Sequence, residues 1–141
     1  MTRTEMSRSA TERSTLFTVV IGLAALAILL QGLWAGIFLE HDGARDAASS
    51  WIDLHAMGGY VAIGLAALAT VLGLVQLRAR RDLWIGSLVL TALLVLEVYL
   101  GGLIRDAGQD TLTAVHVPFA MAIMALAVSL LLRAPRGSTV V

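Results

Sequence analysis

His55 and His116 are the residues on which chemistry is most readily built. Each stands a few positions inside a long apolar segment, three after Ile52 and four after Leu112. Imidazole is a good ligand for haem iron, and the cores of helical bundles are a usual place for such sites. The chain has no cysteine, which excludes disulfides, thiolate metal sites and the covalent attachment of a c-type haem. Any haem would therefore be held non-covalently, as haem b. On each histidine the competing expectation is an interfacial side chain that bonds a neighbour or lipid head groups.

Glu97 and Gln31 belong to the other two apolar segments, each about 10 Å inside at 1.5 Å per residue. A carboxylate at that depth is costly, so Glu97 is expected to be protonated or paired, and an ionisable group in a span is a functional candidate by default. Both side chains would lie slightly deeper than the imidazoles, within reach of each other, an imidazole N–H or a proton carrier. Interhelical hydrogen bonding worth roughly 1 kcal/mol accounts for them equally well. Gly58 and Gly59 follow His55 by three and four positions on its own helix face, leaving room for a flat macrocycle or for close packing of a neighbouring helix. Arg45 and Arg105 would be natural partners for haem propionates, with solvation or an acidic neighbour as the alternative. His41 has no counterpart in the second half and reads as a solvated loop residue.

These residues must be positioned by helices in lipid. Hydrophobic residues make up 58% of the 141, charged residues 14%, and mean hydropathy is +0.85, far richer in apolar residues than a soluble domain. Four apolar segments, Leu16–Leu39, Ile52–Leu77, Leu83–Ile104 and Leu112–Leu132, are each long enough to cross about 30 Å of hydrocarbon. Residues 1–15, a Ser/Thr/Arg/Glu stretch with no apolar period, read as a mobile tail, and 133–141 as a second tail. All ten cations are Arg and ten acids cancel them, so no attraction to nucleic acid is expected.

Eight of the ten Arg lie on the first tail, the Arg78–Asp82 turn and the C-terminal stretch, which by the positive-inside rule puts both ends in the cytoplasm. The link RARRD is short, so spans two and three are antiparallel neighbours. The expected architecture is all-α, an integral membrane four-helix up-down bundle in a bacterial cytoplasmic membrane. Spans two and four then run parallel and bring both histidines to one depth, roughly 5–6 Å below the outer surface. On diagonal helices, roughly 12–14 Å apart, two imidazoles would reach inward to a central iron.

A weak internal two-helix repeat strengthens that expectation. Gln31-Gly-Leu-Trp-Ala-Gly-Ile-Phe38 aligns with Glu97-Val-Tyr-Leu-Gly-Gly-Leu-Ile104, and Asp53-Leu-His55 with Ala114-Val-His116. Each half carries a polar residue followed by small residues near the outer end of one helix, then a histidine in the first turns of the next. Two such halves form one site between them.

With these motifs, the chain resembles one four-helix half of haem A synthase, a family with a histidine on the second and fourth helix of each half. The phrase LEVYLGGLIRD resembles that family's glutamine-plus-glycine helix, and His55 and His116 match the positions of its haem ligands. The chain is also similar to small bacterial four-span proteins of unassigned function, through LLQGLWAGIF and WIDLHAMGGY. Ile52 occupies the place where haem A synthase carries a glutamate, and the family's cysteine pair is absent. The resemblance therefore implies haem binding rather than synthase activity.

The resulting expectation is a bis-histidine b-type haem protein serving in electron transfer, haem handling or sensing. Two axial histidines fill the iron's open positions, so substrate chemistry at the metal, and with it an enzymatic role, is disfavoured. Its partners would be the bilayer, a redox protein or larger membrane complex, and a second copy of the chain. The competing expectation is a haem-free accessory subunit or assembly factor that binds a larger complex through its spans.

Overall fold

The computed structural model describes residues 3–41 and 44–134, with the side chains of residues 3–14 and of Arg45 outside that description. Four long helices account for nearly all of it: α1 (Arg3–Leu39), α2 (Arg45–Gln76), α3 (Arg81–Ala107) and α4 (Thr113–Arg133), with a single 3-10 turn at Asp110–Leu112 before α4. Each helix contains a stretch apolar and long enough to cross a membrane: Thr15–Leu39, Asp46–Gln76, Arg81–Ala107 and Asp110–Arg133. No strand occurs among the described residues.

Consecutive helices pack side by side and α4 closes against α1, while the diagonal pairs α1/α3 and α2/α4 make no close backbone approach. That is the up-down square expected from the short connections. One end of the bundle carries the α2–α3 turn and the end of α4, with Arg78, Arg80, Arg81 and Arg133, and is called here the arginine end. The α1–α2 and α3–α4 connections form the opposite, histidine end.

In residues 3–15, read from the sequence as a mobile tail, α1 is already helical from Arg3 and runs without a break into its apolar stretch. Helix nucleation is the costly step, and a formed span supplies the nucleus from which good helix formers such as Glu, Arg, Met and Ala extend. Of the second tail, residues 135–141 lie outside the described residues.

Each helix turns one stripe at alternating four- and three-residue spacing toward the bundle axis. On α1 it runs Phe17, Ile21, Ala24, Ile28; on α3 Leu83, Ser87, Leu90, Leu94; on α4 Ile123, Ala127, Leu130, and all are buried. On α2 the stripe is built of small residues, Gly59, Ala62, Ala66, Ala69 and Gly73. A mean spacing of 3.5 is the pattern of left-handed bundles, and small residues let neighbouring backbones approach without hydrophobic driving force. At Gly73 the approach is closest, since an added Cβ would stand 2.8 Å from Trp84 Cβ and 3.1 Å from its Cα. Thr70 and Thr91 add a hydroxyl contact of 3.3 Å between α2 and α3 in this packed half, each also bonded to a carbonyl of its own helix.

At the arginine end, Arg80 grips Asp82 through two hydrogen bonds of 3.0 and 2.9 Å and donates a third, of 3.1 Å, to the carbonyl of Arg133. The α2–α3 turn is thereby tied to the last carbonyls of α4, groups that no helix can satisfy internally.

The close approach at Gly73 generates a matched pair of substitutions on one helix. Gly73→Ala should destabilise the protein by about 1–3 kcal/mol, because the obstructing atoms, Trp84 Cβ and Cα, move only with the α3 backbone. Gly64→Ala, which meets nothing within 4 Å, should be neutral or stabilising by up to about 1 kcal/mol. Denaturant titration of both variants in detergent micelles reads the difference, and equal effects would mean that the backbones are not in contact there.

Candidate functional site

The four stripes change character toward the histidine end. Continuing the same spacing, α1 reaches Gln31, Ala35 and Phe38, α3 reaches Glu97, Gly101 and Ile104, and on α2 and α4 the stripes begin at His55 and His116. Every helix thus contributes one polar side chain to the axis near the same end. The largest fully buried apolar side chains, Phe17, Ile21, Leu83, Leu90 and Ile123, lie in the arginine half or at the middle. Around the histidines most stripe positions are only half-buried.

Two turns aim the histidine helices. Gly108 takes a left-handed conformation (φ 65°) and the Gln109 N–H bonds the Leu103 carbonyl at 3.2 Å, closing α3 and reversing the chain within one short 3-10 turn. His41 is part of the other turn. Its Nδ1 lies 2.9 Å from the Ile37 carbonyl, so it caps the end of α1 rather than standing free in solvent.

The imidazoles of His55 and His116 meet across the bundle diagonal, with ring centres 6.3 Å apart and planes at 65°. Each Nδ1 faces a polar group of the preceding helix. His55 Nδ1 is 3.1 Å from the backbone carbonyl of Gln31, and His116 Nδ1 is 3.1 Å from Glu97 Oε1. The sequence repeat is therefore also a repeat of contacts, since Gln31 and Glu97 occupy equivalent positions and each supports the histidine of its own half. Neither Nε2 is engaged by any described hydrogen bond.

The two supports differ. Glu97 and His116 are close but not aligned for a hydrogen bond, and both Glu97 oxygens and His116 Nδ1 are buried without one. With only 10% of the Glu97 side chain and 17% of the His116 side chain exposed, these orphaned groups are costly to maintain. Gln31 uses its backbone, while its amide turns to the Ala27 carbonyl of its own helix at 3.3 Å.

The other sequence candidates fall around this centre. Gly58 is where Gln31 and Trp34 of α1 press closest on α2, and an added Cβ at Gly59 would meet Val98 Cγ2 at 2.8 Å. At Gly59, α3 thus packs closely against α2. Gly101 does border the site, an added Cβ standing 3.4 Å from His116 Cε1. Arg105 is exposed and contacts Asp53 of α2 at 3.4 Å and Asp106 at 3.2 Å. The side chain of Arg45 lies outside the described residues. Phe38, which the sequence reading passed over, sets its ring edge-on to His55 with centres 5.5 Å apart; it is the next position of the α1 stripe after Ala35, and that spacing was the available signal. Between α2 and α3 lies an open groove of about 660 Å³, bordered by Tyr60, Ile63, Val98, Tyr99 and Leu103 and by neither imidazole.

Chemically, the arrangement offers two imidazole nitrogens to a metal and little else. No cluster of three or more His, Asp or Glu side chains suited to a bare ion occurs among the described residues, so a metal here would arrive with most of its ligands. Two imidazoles bound on opposite sides of one metal at about 2 Å per bond have ring centres roughly 6 Å apart, which matches the 6.3 Å observed. Nδ1 turned to a carbonyl or carboxylate with Nε2 uncommitted is likewise the disposition that metal-binding histidines adopt. The donor set therefore fits a haem iron. No family model, curated protein or solved structure matches this chain, so the likeness to haem A synthase rests on its motifs alone.

An orphaned carboxylate makes a specific claim about stability. Glu97→Leu, of similar volume and without the two unbonded oxygens, should stabilise the ligand-free chain by about 1–3 kcal/mol in a micellar unfolding titration. A loss of stability instead would mean that Glu97 is a satisfied structural residue.

Proposed function

We propose that this chain is a multi-pass protein of a bacterial cytoplasmic membrane that binds one non-covalent haem b between His55 and His116, for electron transfer, haem handling or sensing. The observation that carries the proposal is the imidazole pair, two rings 6.3 Å apart on diagonal helices, His55 bonded at Nδ1 to the Gln31 carbonyl, His116 Nδ1 facing Glu97 at 3.1 Å, and both uncommitted at Nε2. When bound, the group supplies one-electron chemistry. The chain's own part is to hold both imidazoles in orientation, to keep water from the axis through the packed arginine half, and to leave the histidine end loose enough for entry. Held by both imidazoles, the group would have no position open to a substrate, which disfavours substrate chemistry there. Arg105 serves propionates by exchanging exposed ion pairs, each worth under about 1 kcal/mol.

Purified in detergent from haem-replete cells, the protein should show a reducible low-spin b-type spectrum with about one haem per chain. Changing either His55 or His116 to Ala should abolish it. A colourless protein after haem supplementation would overturn this reading in favour of a haem-free accessory subunit.

The same proposal puts the arginine end in the cytoplasm, because Arg is concentrated there. A reporter fused after Val141 should be active only if it works in the cytoplasm, and labels near Gly108 should react from outside. The reverse pattern would move the histidine pair to the cytoplasmic face.

A further inference from the structure

The two histidines occupy equivalent places in the repeat, yet their supports are chemically unequal. If a metal sits on Nε2, the ring proton must reside on Nδ1. For His55 the group facing that proton is a neutral backbone carbonyl, 3.1 Å away on Gln31. For His116 it is the Glu97 carboxylate, also at 3.1 Å, nine-tenths buried and with neither oxygen otherwise bonded. A carboxylate that accepts from a ligating imidazole fixes its tautomer and strengthens it as a donor, and a charge-assisted hydrogen bond in a dry interior is roughly twice as strong as a neutral one.

We infer that Glu97 is the positioning residue of the site, and that it makes His116 the stronger of two unequal axial ligands. The inference rests on the haem reading above and deepens it. In the ligand-free chain the contact is close but misaligned. Placing a metal on Nε2 obliges Nδ1 to donate, and a small rotation of the ring completes the bond. The orphaned state of Glu97 is then the ligand-free half of a pair that loading satisfies. A stronger donor favours the oxidised metal, so Glu97 holds the midpoint potential down.

The test uses the full chain loaded with haem b at fixed pH. Glu97→Gln retains an acceptor of the same shape but not the charge, and should raise the midpoint potential while leaving haem content at the wild-type level. Glu97→Leu removes the acceptor and should raise it further. In the reduced, diamagnetic wild-type protein, the Nδ1 proton of His116 should resonate downfield of that of His55 in a spectrum of ¹⁵N-histidine-labelled material, a readout that survives even if both variants fail to fold. Two equivalent Nδ1 protons, or potentials unchanged across the variants, would overturn the inference while leaving haem binding intact. A chain that takes up no haem would overturn the underlying reading instead.

Discussion

Apolar surface gains little from leaving lipid for another apolar surface, so helices there are held by close contact and not by expulsion of water. The stripe at alternating four- and three-residue spacing would meet that condition for four helices long and apolar enough to cross a membrane. On α2 it is made of Gly59, Ala62, Ala66, Ala69 and Gly73, which lets α1 and α3 lie against α2's backbone. The bulk that fills the axis then comes from the other three helices, through Phe17, Ile21, Leu90 and Ile123. Where that bulk stops, beyond Ile28 and Leu94, the same four stripes present Gln31, Glu97, His55 and His116. The site is thus an interruption of the core rather than an addition to its surface.

An interruption of this kind is expensive to maintain. Polar atoms near an apolar axis need partners, and the chain provides them unevenly. His55 borrows a carbonyl from α1, Thr70 and Thr91 bond their own helices as well as each other, and Glu97 has close company without a completed bond. Ser87 Oγ and Gln76 Oε1 are also buried without a bond, but Glu97 and His116 are where several such atoms gather in one place.

Much of this was legible in the sequence. The four spans follow from apolar length, and the square arrangement from short connections. The repeat that aligns Gln31 with Glu97 and His55 with His116 anticipated that the histidines would face one another. Other features were not legible. The helical backbone of residues 3–15 carries no apolar period, because its helicity is inherited from the span that follows. Gly58 and Gly59 permit either a slot or a close contact, and only the placement of Trp34 and Val98 decides between them. The continuity of the stripe through polar residues is invisible to a hydrophobic pattern, so Phe38 was passed over. That Gln31 would support His55 with its backbone while Glu97 uses its side chain depends on rotamers that alignment cannot reach.

The Arg80 contacts that join the α2–α3 turn to the end of α4 make the arginine end a fixed base, and the helices rising from it act as levers. A pivot of one degree at the base displaces the far end of a helix roughly 30 Å long by about half an ångström. The separation of the imidazoles can therefore be tuned over a bond-length scale by tilts too small to unseat Leu90 or Ile123 from the axis.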